Sequence, residues 1–373
     1  MTGLFDSITL RDSTMQNRIW MSPMMQFAAD PEGESTGAAT DWHFQHFAAR
    51  AVGGVGLAMI EATAVTPDGR SSEFDLGLWN DAQAHSHRRI IEFLHSQGTA
   101  VGIQLVHAGR KASTGRPWNT GDFVESKWQT VAPSPEAFGD LPEPVALTRR
   151  QIGDIVESFA TSASRAAAVG FDVLELHGAH GYLIHQFLSP SSNRRTDEYG
   201  GSLTNRMRFA VEVVDAVRRV WPGNRPLFFR VSATDWLAGD TDDARPGWTV
   251  EDTVALADVL SSHGVDLFDV STGGIVPDAR IPVGPGYQVR FAAEVRSRTG
   301  MPTAAVGLIT DPAQANSIVE SGQADAVFLA RELLRDPYWG QRAARELAVP
   351  LRHPPNYARA FRDRVPRQPA PVH

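Results

Sequence analysis

The chain has 373 residues, of which 42% are hydrophobic and 21% charged, with a formal net charge of −8 and no cysteine. That length suits one large α/β barrel or two smaller domains, and the acidic balance argues against a nucleic-acid surface. The lack of cysteine excludes disulfides, thiolate catalysis and cysteine-ligated zinc or iron–sulfur sites.

Asp6, Arg11, Asp12 and Arg18 interrupt the amino terminus, so neither a signal peptide nor a membrane anchor is expected. The chain reads as a cytoplasmic enzyme. Residues 8–10 and 15–18 flank a short polar turn and predict a hairpin plugging one end of the fold. Apolar runs with strand character then alternate with amphipathic segments of helical period. The predicted pairs are 18–24 with 41–51, 56–65 with 82–97, 100–107 with 149–169, and 171–177 with 205–220. They continue as 227–232 with 249–263, 265–271 with 288–298, 303–309 with 312–320, and 326–331 with 337–347. Thr148, Asp311-Pro312 and Asp336-Pro337 are helix-start signals. Eight such units favour a single closed (β/α)8 TIM barrel over an open sheet.

Three long connections, 108–147, 178–204 and 233–248, follow strands and so belong to the face where such barrels place their active sites. Their tryptophans Trp118, Trp128, Trp236 and Trp248 either wall a pocket or pack the loops onto the body. The tail is rich in arginine and proline, giving a barrel over 1–355 and an extension over 356–373.

His177-Gly-Ala-His-Gly-Tyr182 emerges where the fourth barrel strand ends. Two imidazoles that donate hydrogen bonds, beside a phenol with a pKa of about 10, suit polarising a carbonyl or nitro oxygen while protonating a neighbouring carbon. Arg230, inside the buried run Leu227-Phe-Phe-Arg-Val-Ser232, needs an anionic partner: a carboxylate such as Glu175, or an anion at the barrel mouth such as reduced flavin. Gln104 offers a donor and an acceptor that match a pyrimidine edge, and Ala62 is small enough for close approach of a flat ring. Gly307, Ala330 and Arg331 end the last two strands, where barrels often bind phosphate. The competing reading of His177 and His180 is a metal-dependent hydrolase, with His107 and His185 as further ligand candidates. No metal is the expectation, and no Gly-x-Gly-x-x-Gly opens a helix, so no separate dinucleotide domain is implied.

Nearly the whole chain resembles the Old Yellow Enzyme family of flavin-dependent ene-reductases, particularly its bacterial xenobiotic-reductase and thermophilic-like branch. The resemblance rests on Asn17-Arg-Ile-Trp-Met-Ser-Pro-Met24, Gly102-Ile-Gln-Leu-Val-His-Ala-Gly-Arg-Lys111, residues 177–190, Asn193-Arg-Arg-Thr-Asp-Glu-Tyr-Gly-Gly-Ser202 and Arg331-Glu-Leu-Leu-Arg-Asp-Pro337. It implies bound FMN, with Ser22, Pro23, Met24 and Met25 lining the flavin, Ala62 and Gln104 touching its ring, and Arg230 at its N1/O2 edge. It further implies Gly307, Ala330 and Arg331 around the phosphate, His177 and His180 on the substrate oxygen, and Tyr182 as proton donor. The implied reaction is ping-pong hydride transfer from NADPH or NADH, through FMN, to an electron-poor alkene.

Two positions depart from that branch. Met25 stands where cysteine is usual, and Phe27, a substrate-binding candidate, stands where tyrosine is usual. Both bear on potential and substrate, and leave room for a desaturase or a redox-neutral double-bond isomerase on the same fold. Tyr357-Ala-Arg-Ala-Phe361 resembles the branch's carboxyl-terminal motif, in which an arginine, here Arg359, enters a neighbouring subunit's site and implies a homodimer or dimer of dimers. The alternative is a solvated basic tail.

Overall fold

The computed structural model describes residues 2–118, 127–237, 243–350 and 353–361. The apolar runs form the strands β1 (Ile8–Leu10), β2 (Ser13–Met15), β3 (Ile19–Met21), β4 (Leu57–Ala64), β5 (Ala100–Val106) and β6 (Val131–Ala132). They continue as β7 (Val145–Ala146), β8 (Val173–Gly178), β9 (Leu227–Ser232), β10 (Leu267–Ser271), β11 (Thr303–Ala305) and β12 (Ala326–Leu329). Eight of them close a parallel barrel in the order β3-β4-β5-β8-β9-β10-β11-β12, with β12 returning to β3. Strands buried on both faces need continuous apolar runs, and β4, β8, β9 and β10 are buried along their whole length.

The helices are α1 (Asp41–Val52), α2 (Asp81–Ser86), α3 (Arg88–Ser96), α4 (Arg149–Val169), α5 (Leu183–Leu188), α6 (Leu203–Val220), α7 (Val250–Ser262), α8 (Val289–Thr299), α9 (Pro312–Glu320), α10 (Arg331–Arg335) and α11 (Trp339–Glu346). In α4 the start is fixed reciprocally: Thr148 Oγ1 accepts from the Gln151 N–H, and Gln151 Oε1 accepts from the Thr148 N–H. Ile152, Ile155, Phe159, Ala163 and Ala166 face the barrel at helical spacing, and Gly170 ends the helix at a φ of 109°.

Inside the barrel, Trp20 stacks on Phe228 at 5.7 Å and meets Phe328 edge-on at 5.4 Å. Truncating such a side chain to alanine costs roughly 3–5 kcal/mol. The hairpin of β1 and β2 closes the end of the barrel opposite the strand carboxyl termini, with Ile8 and Leu10 packed against the interior cluster. Arg11, at its turn, reaches Asp266 Oδ1 at 2.7 Å and the Gly223 carbonyl at 2.6 Å.

The structure departs from the predicted elements in several places, and the strand expected over 18–24 already ends at Met21. The helix expected over 82–97 is broken into α2 and α3 at His87, whose N–H bonds the Ala84 carbonyl three residues back. The strand expected over 303–309 stops at Ala305, because Gly307 turns with a φ of 122° and Leu308 with a φ of 52°. The final helix, expected over 337–347, is preceded by α10, which absorbs Arg331 from the predicted eighth strand. The short elements α5, β6 and β7 lie within connections read as loops.

Candidate active site at the barrel mouth

His177 closes β8 with its side chain on the barrel interior, two residues beyond Glu175 and beside Arg230 in the register with β9. Its Nδ1 accepts the Ala179 N–H at 3.2 Å, so a neutral ring carries its proton on Nε2, 3.3 Å from His180 Nδ1. Burial, then the Arg230 charge, holds both imidazoles well below their ordinary pKa. At neutral pH they are uncharged N–H donors. His177 lies edge-to-face with His180 and with Tyr182, at 5.0 and 4.9 Å.

The turn between them is held from every side. His180 and Gly181 have φ of 56° and 74°, and a Cβ on Gly181 would collide with the Gly274 carbonyl. Ser232 Oγ accepts the His180 N–H at 3.0 Å, and Lys111 Nζ donates to the His180 carbonyl at 2.9 Å. Behind the turn, His185 Nδ1 accepts the Gly181 N–H at 2.9 Å. Its Nε2 lies 2.9 Å from Asp235 Oδ1, both side chains being fully buried. Asp235 Oδ2 accepts from Ser189 Oγ at 2.6 Å and from the Trp248 N–H at 2.7 Å.

Opposite this turn, the chain leaving β3 carries Ser22, Pro23, Met24, Met25 and Phe27, with the Gln26 N–H pinned to Glu61 Oε1 at 2.8 Å. The Tyr182 hydroxyl donates to Met25 Sδ at 3.5 Å, and Ser71 Oγ lies 3.8 Å from the same sulfur. Ser71 and Ser72 direct both backbone N–H groups and both hydroxyls at Asp75, whose burial still pushes its pKa up to about 6. Burial, then Asp75, raises the Tyr182 phenol above its usual value. Phe27 takes a φ of 52° and meets Trp118 edge-on at 5.7 Å.

Beneath the mouth lies a band of buried polar side chains. Gln104 Nε2 donates to Glu175 Oε1 at 2.7 Å across the β5–β8 register. Arg230 Nη1 donates to Ser22 Oγ at 3.2 Å. Its Nε lies 3.2 Å from Asp269 Oδ2, close enough for an ion pair but out of line for a hydrogen bond. The carboxylate considered for Arg230, Glu175, thus bonds Gln104 while Asp269 pairs with the guanidinium. Burial, then Asp269, raises Glu175 well above the carboxylate range. Ala62 sits in the irregular stretch of β4 between Ile60 and Thr63, where the register with β5 shifts. Beyond β11 and β12, Gly307, Ala330, Arg331 and Gln288 line a cleft of about 100 Å³. A Cβ on Gly307 would meet Gln288 Nε2 at 2.9 Å, so the cleft wall there is backbone.

This donor set fits a flavin. Arg230 and Gln104 present a cation and an amide to an electron-rich heterocycle, the Arg230 Nε and Glu175 Oε2 atoms are buried without hydrogen-bond partners, and a glycine-walled cleft beside Arg331 suits phosphate. Arg359 is not brought into this set. It lies exposed in the turn Pro355–Ala360, while Pro354 and Pro355 line a cleft with Asn17, Gly53 and Gly54 at the opposite end of the barrel. Residues 362–373 of the expected extension fall outside the described residues. Trp236 and Trp248 are core residues, whereas Trp118 is 60% exposed. Among the described residues no three metal-ligating side chains converge, and no helix is long and apolar enough to cross a membrane.

Sequence reasoning missed Lys111, Ser71, Asp75 and Asp235, and considered His185 only as a metal ligand, whereas here it pairs with Asp235. Lys111 had a signal: it ends a run already singled out around Gln104. The others are polar residues in loops, whose partners only the fold supplies.

Residues 3–349 match the model of the NADH:flavin oxidoreductase / NADH oxidase family. The chain is 48% identical over 362 residues to an NADPH dehydrogenase of Geobacillus thermodenitrificans, covering 97% of this chain and 99% of that one. It is 46% identical to an NADPH dehydrogenase of Listeria monocytogenes, with coverage of 97% and 100%. Among solved structures, morphinone reductase superposes with a TM-score of 0.74 at 29% identity, covering 95% of this chain and 91% of that one. An Old Yellow Enzyme homologue from Zymomonas mobilis gives 0.75 at 26% identity, with 94% of each chain covered.

Proposed function

The chain belongs to the NADH:flavin oxidoreductase / NADH oxidase family, that of the Old Yellow Enzyme, and on that premise we propose that it is an FMN-dependent ene-reductase acting on α,β-unsaturated carbonyl compounds or related electron-poor alkenes. When bound, FMN supplies hydride to the alkene after accepting it from NAD(P)H. NADPH is the proposed physiological reductant, by analogy with the named relatives.

The observation that carries this reading is the Tyr182 hydroxyl beside two neutral imidazole donors on one immobilised turn. His177 and His180 bind the oxygen of the activating group and stabilise charge as it develops there, an effect of a few kcal/mol per donor, roughly 2.7–4. Tyr182 gives its hydroxyl proton to the α-carbon. Its raised pKa keeps it protonated at working pH, so the acid is always loaded. Ser22, Pro23, Met24, Met25, Ala62, Gln104 and Arg230 are proposed to hold the flavin ring, and Gly307, Ala330 and Arg331 its phosphate. Phe27 borders the substrate, and Arg359, from the extension 356–373, is proposed to complete a neighbouring subunit's site.

Purified protein is expected to be yellow and to reduce a panel of enones, maleimides and nitroalkenes anaerobically with NADPH. Colourless protein that cannot be reconstituted with FMN would sink the reading. Oxidation or double-bond migration without net NADPH consumption would instead identify a desaturase or an isomerase.

A further inference from the structure

On the flavin reading, hydrogen peroxide is a product this site must live with. Dioxygen takes the place of an alkene when none is present, so that NADPH, a proton and O2 become NADP+ and H2O2, the oxidase side of the family's description. With no cysteine anywhere in the chain, no thiolate stands by to intercept it. Two thioethers remain on the wall after β3: Met24, which packs against the hydrophobic core, and Met25, whose sulfur faces hydroxyl groups.

The surroundings of that sulfur are unusual for a methionine. Most methionine sulfurs pack against apolar or aromatic groups, yet Met25 Sδ has the Tyr182 and Ser71 hydroxyl oxygens at 3.5 and 3.8 Å. Ser71 has one hydroxyl proton and two claimants. Asp75 Oδ2, at 2.7 Å, is the nearer and is charged when ionised, so the proton goes to Asp75 and the sulfur is left with Tyr182 as its one donor. A thioether is a weak acceptor; a sulfoxide oxygen is a strong one. Met15, Met21 and Met59 are fully buried in the core, whereas Met25 is half-buried at the mouth, and Met301 is half-buried ahead of β11, at the end of the barrel away from the mouth.

We propose that Met25 is an oxidation site, at which peroxide formed in the active site converts the thioether to a sulfoxide that captures the Tyr182 proton and turns off alkene reduction. The sulfur lone pair attacks one peroxide oxygen, an S–O bond forms and the O–O bond breaks. The proton on the transferred oxygen passes to the departing one, which leaves as water, and sulfur is oxidised by two electrons. The new S=O then receives the Tyr182 O–H in place of the weakly held contact to sulfur. Reduction of the enzyme by NADPH needs no proton from Tyr182 and continues.

This inference rests on the flavin reading above, and the test separates the two. Holoenzyme turning over NADPH in air, with catalase in the bulk solution, is digested and its methionines weighed. One added oxygen at Met25 with Met24 and Met301 unmodified is the expected result, together with a loss of alkene reduction of about tenfold or more. Flavin reduction by NADPH should change less than about twofold, and a methionine sulfoxide reductase should restore activity. Met25→Leu should lose the sensitivity to aerobic turnover. An unmodified Met25 in yellow, NADPH-oxidising enzyme overturns this inference and leaves the ene-reductase reading standing. Equal oxidation of Met25 and Met301 overturns it too, since bulk peroxide would then explain both. A protein without flavin removes the ene-reductase reading first.

Discussion

The two walls of the mouth are built in opposite ways. The wall after β8 is over-determined: Ser232, Lys111, His185 through Asp235, and the Gly274 backbone all hold one six-residue turn. The wall after β3 is anchored through its backbone and Ser22, by Glu61 to the Gln26 N–H, Arg116 to the Phe27 carbonyl and Arg230 to Ser22 Oγ, whereas its Met25 and Phe27 side chains have only a sulfur's weak contacts and an edge-on ring. The contrast has a chemical logic. In the roles proposed above, groups that hold an oxygen and give a proton must be placed to within a fraction of an ångström, whereas residues that tune a ring or border a substrate can vary in size. Both departures from the expected family pattern, Met25 and Phe27, lie on the looser wall.

Substitutions on each wall should therefore differ in kind. The largest effect is expected from Tyr182→Phe, which should slow alkene reduction by about 10²–10⁴-fold while leaving flavin reduction by NADPH nearly unchanged; rapid-mixing measurement of the two half-reactions checks it. Equal slowing of both would take Tyr182 out of the acid role. Asp235→Ala strands a buried histidine, a serine and a backbone N–H, and should lower stability by roughly 3–5 kcal/mol in urea unfolding, with kcat for the alkene falling further than affinity. Ser71→Ala, its counterpart across the mouth, should lose no more than about 1–3 kcal/mol. A reversed order would break the comparison.

Lys111 gives the rigid wall a pH signature. Burial, then Arg110, brings its pKa down to about 8. Its charge, which favours an oxyanion beside His180, is present below that pH and lost above it. Alkene reduction should fall on an alkaline limb near 8 that Lys111→Met abolishes, with a loss of roughly tenfold at neutral pH. The effect on folding has the opposite sense: the depressed pKa means that stability rises as pH goes from about 8 towards the ordinary lysine value of 10.5. The smallest effects belong to the looser wall. Phe27→Tyr should tighten ligand binding by about 0.5–1.5 kcal/mol through one added hydrogen bond, measured by flavin titration with a phenolic ligand. Met25→Cys should move the midpoint potential by on the order of 10–30 mV.

The barrel was legible because its information is periodic. Each strand is a continuous apolar run and each helix a repeating stripe, and neither signal needs knowledge of distant residues. His177, His180, Tyr182, Gln104 and Arg230 were legible for a related reason: each is a polar residue at or inside a buried strand, where its presence demands an explanation. What stayed hidden was local or relational. Gly307 ends β11 early through its backbone angle, and the His87 break exchanges one hydrogen-bond register for another. The Ser71–Asp75–Met25 contacts join segments 46 and 157 residues apart along the chain, if Tyr182 is included, and no pattern in either segment announces them.

The hairpin beneath the barrel also decides from which side the site can be reached. Ile8 and Leu10 lie on an interior filled by Trp20, Phe228 and Phe328, so the floor is sealed and the mouth is the doorway for every visitor. Both proposed reactants, the nicotinamide and the alkene, would then enter and leave by the same face, and the residues that close the other end set that direction without touching either of them.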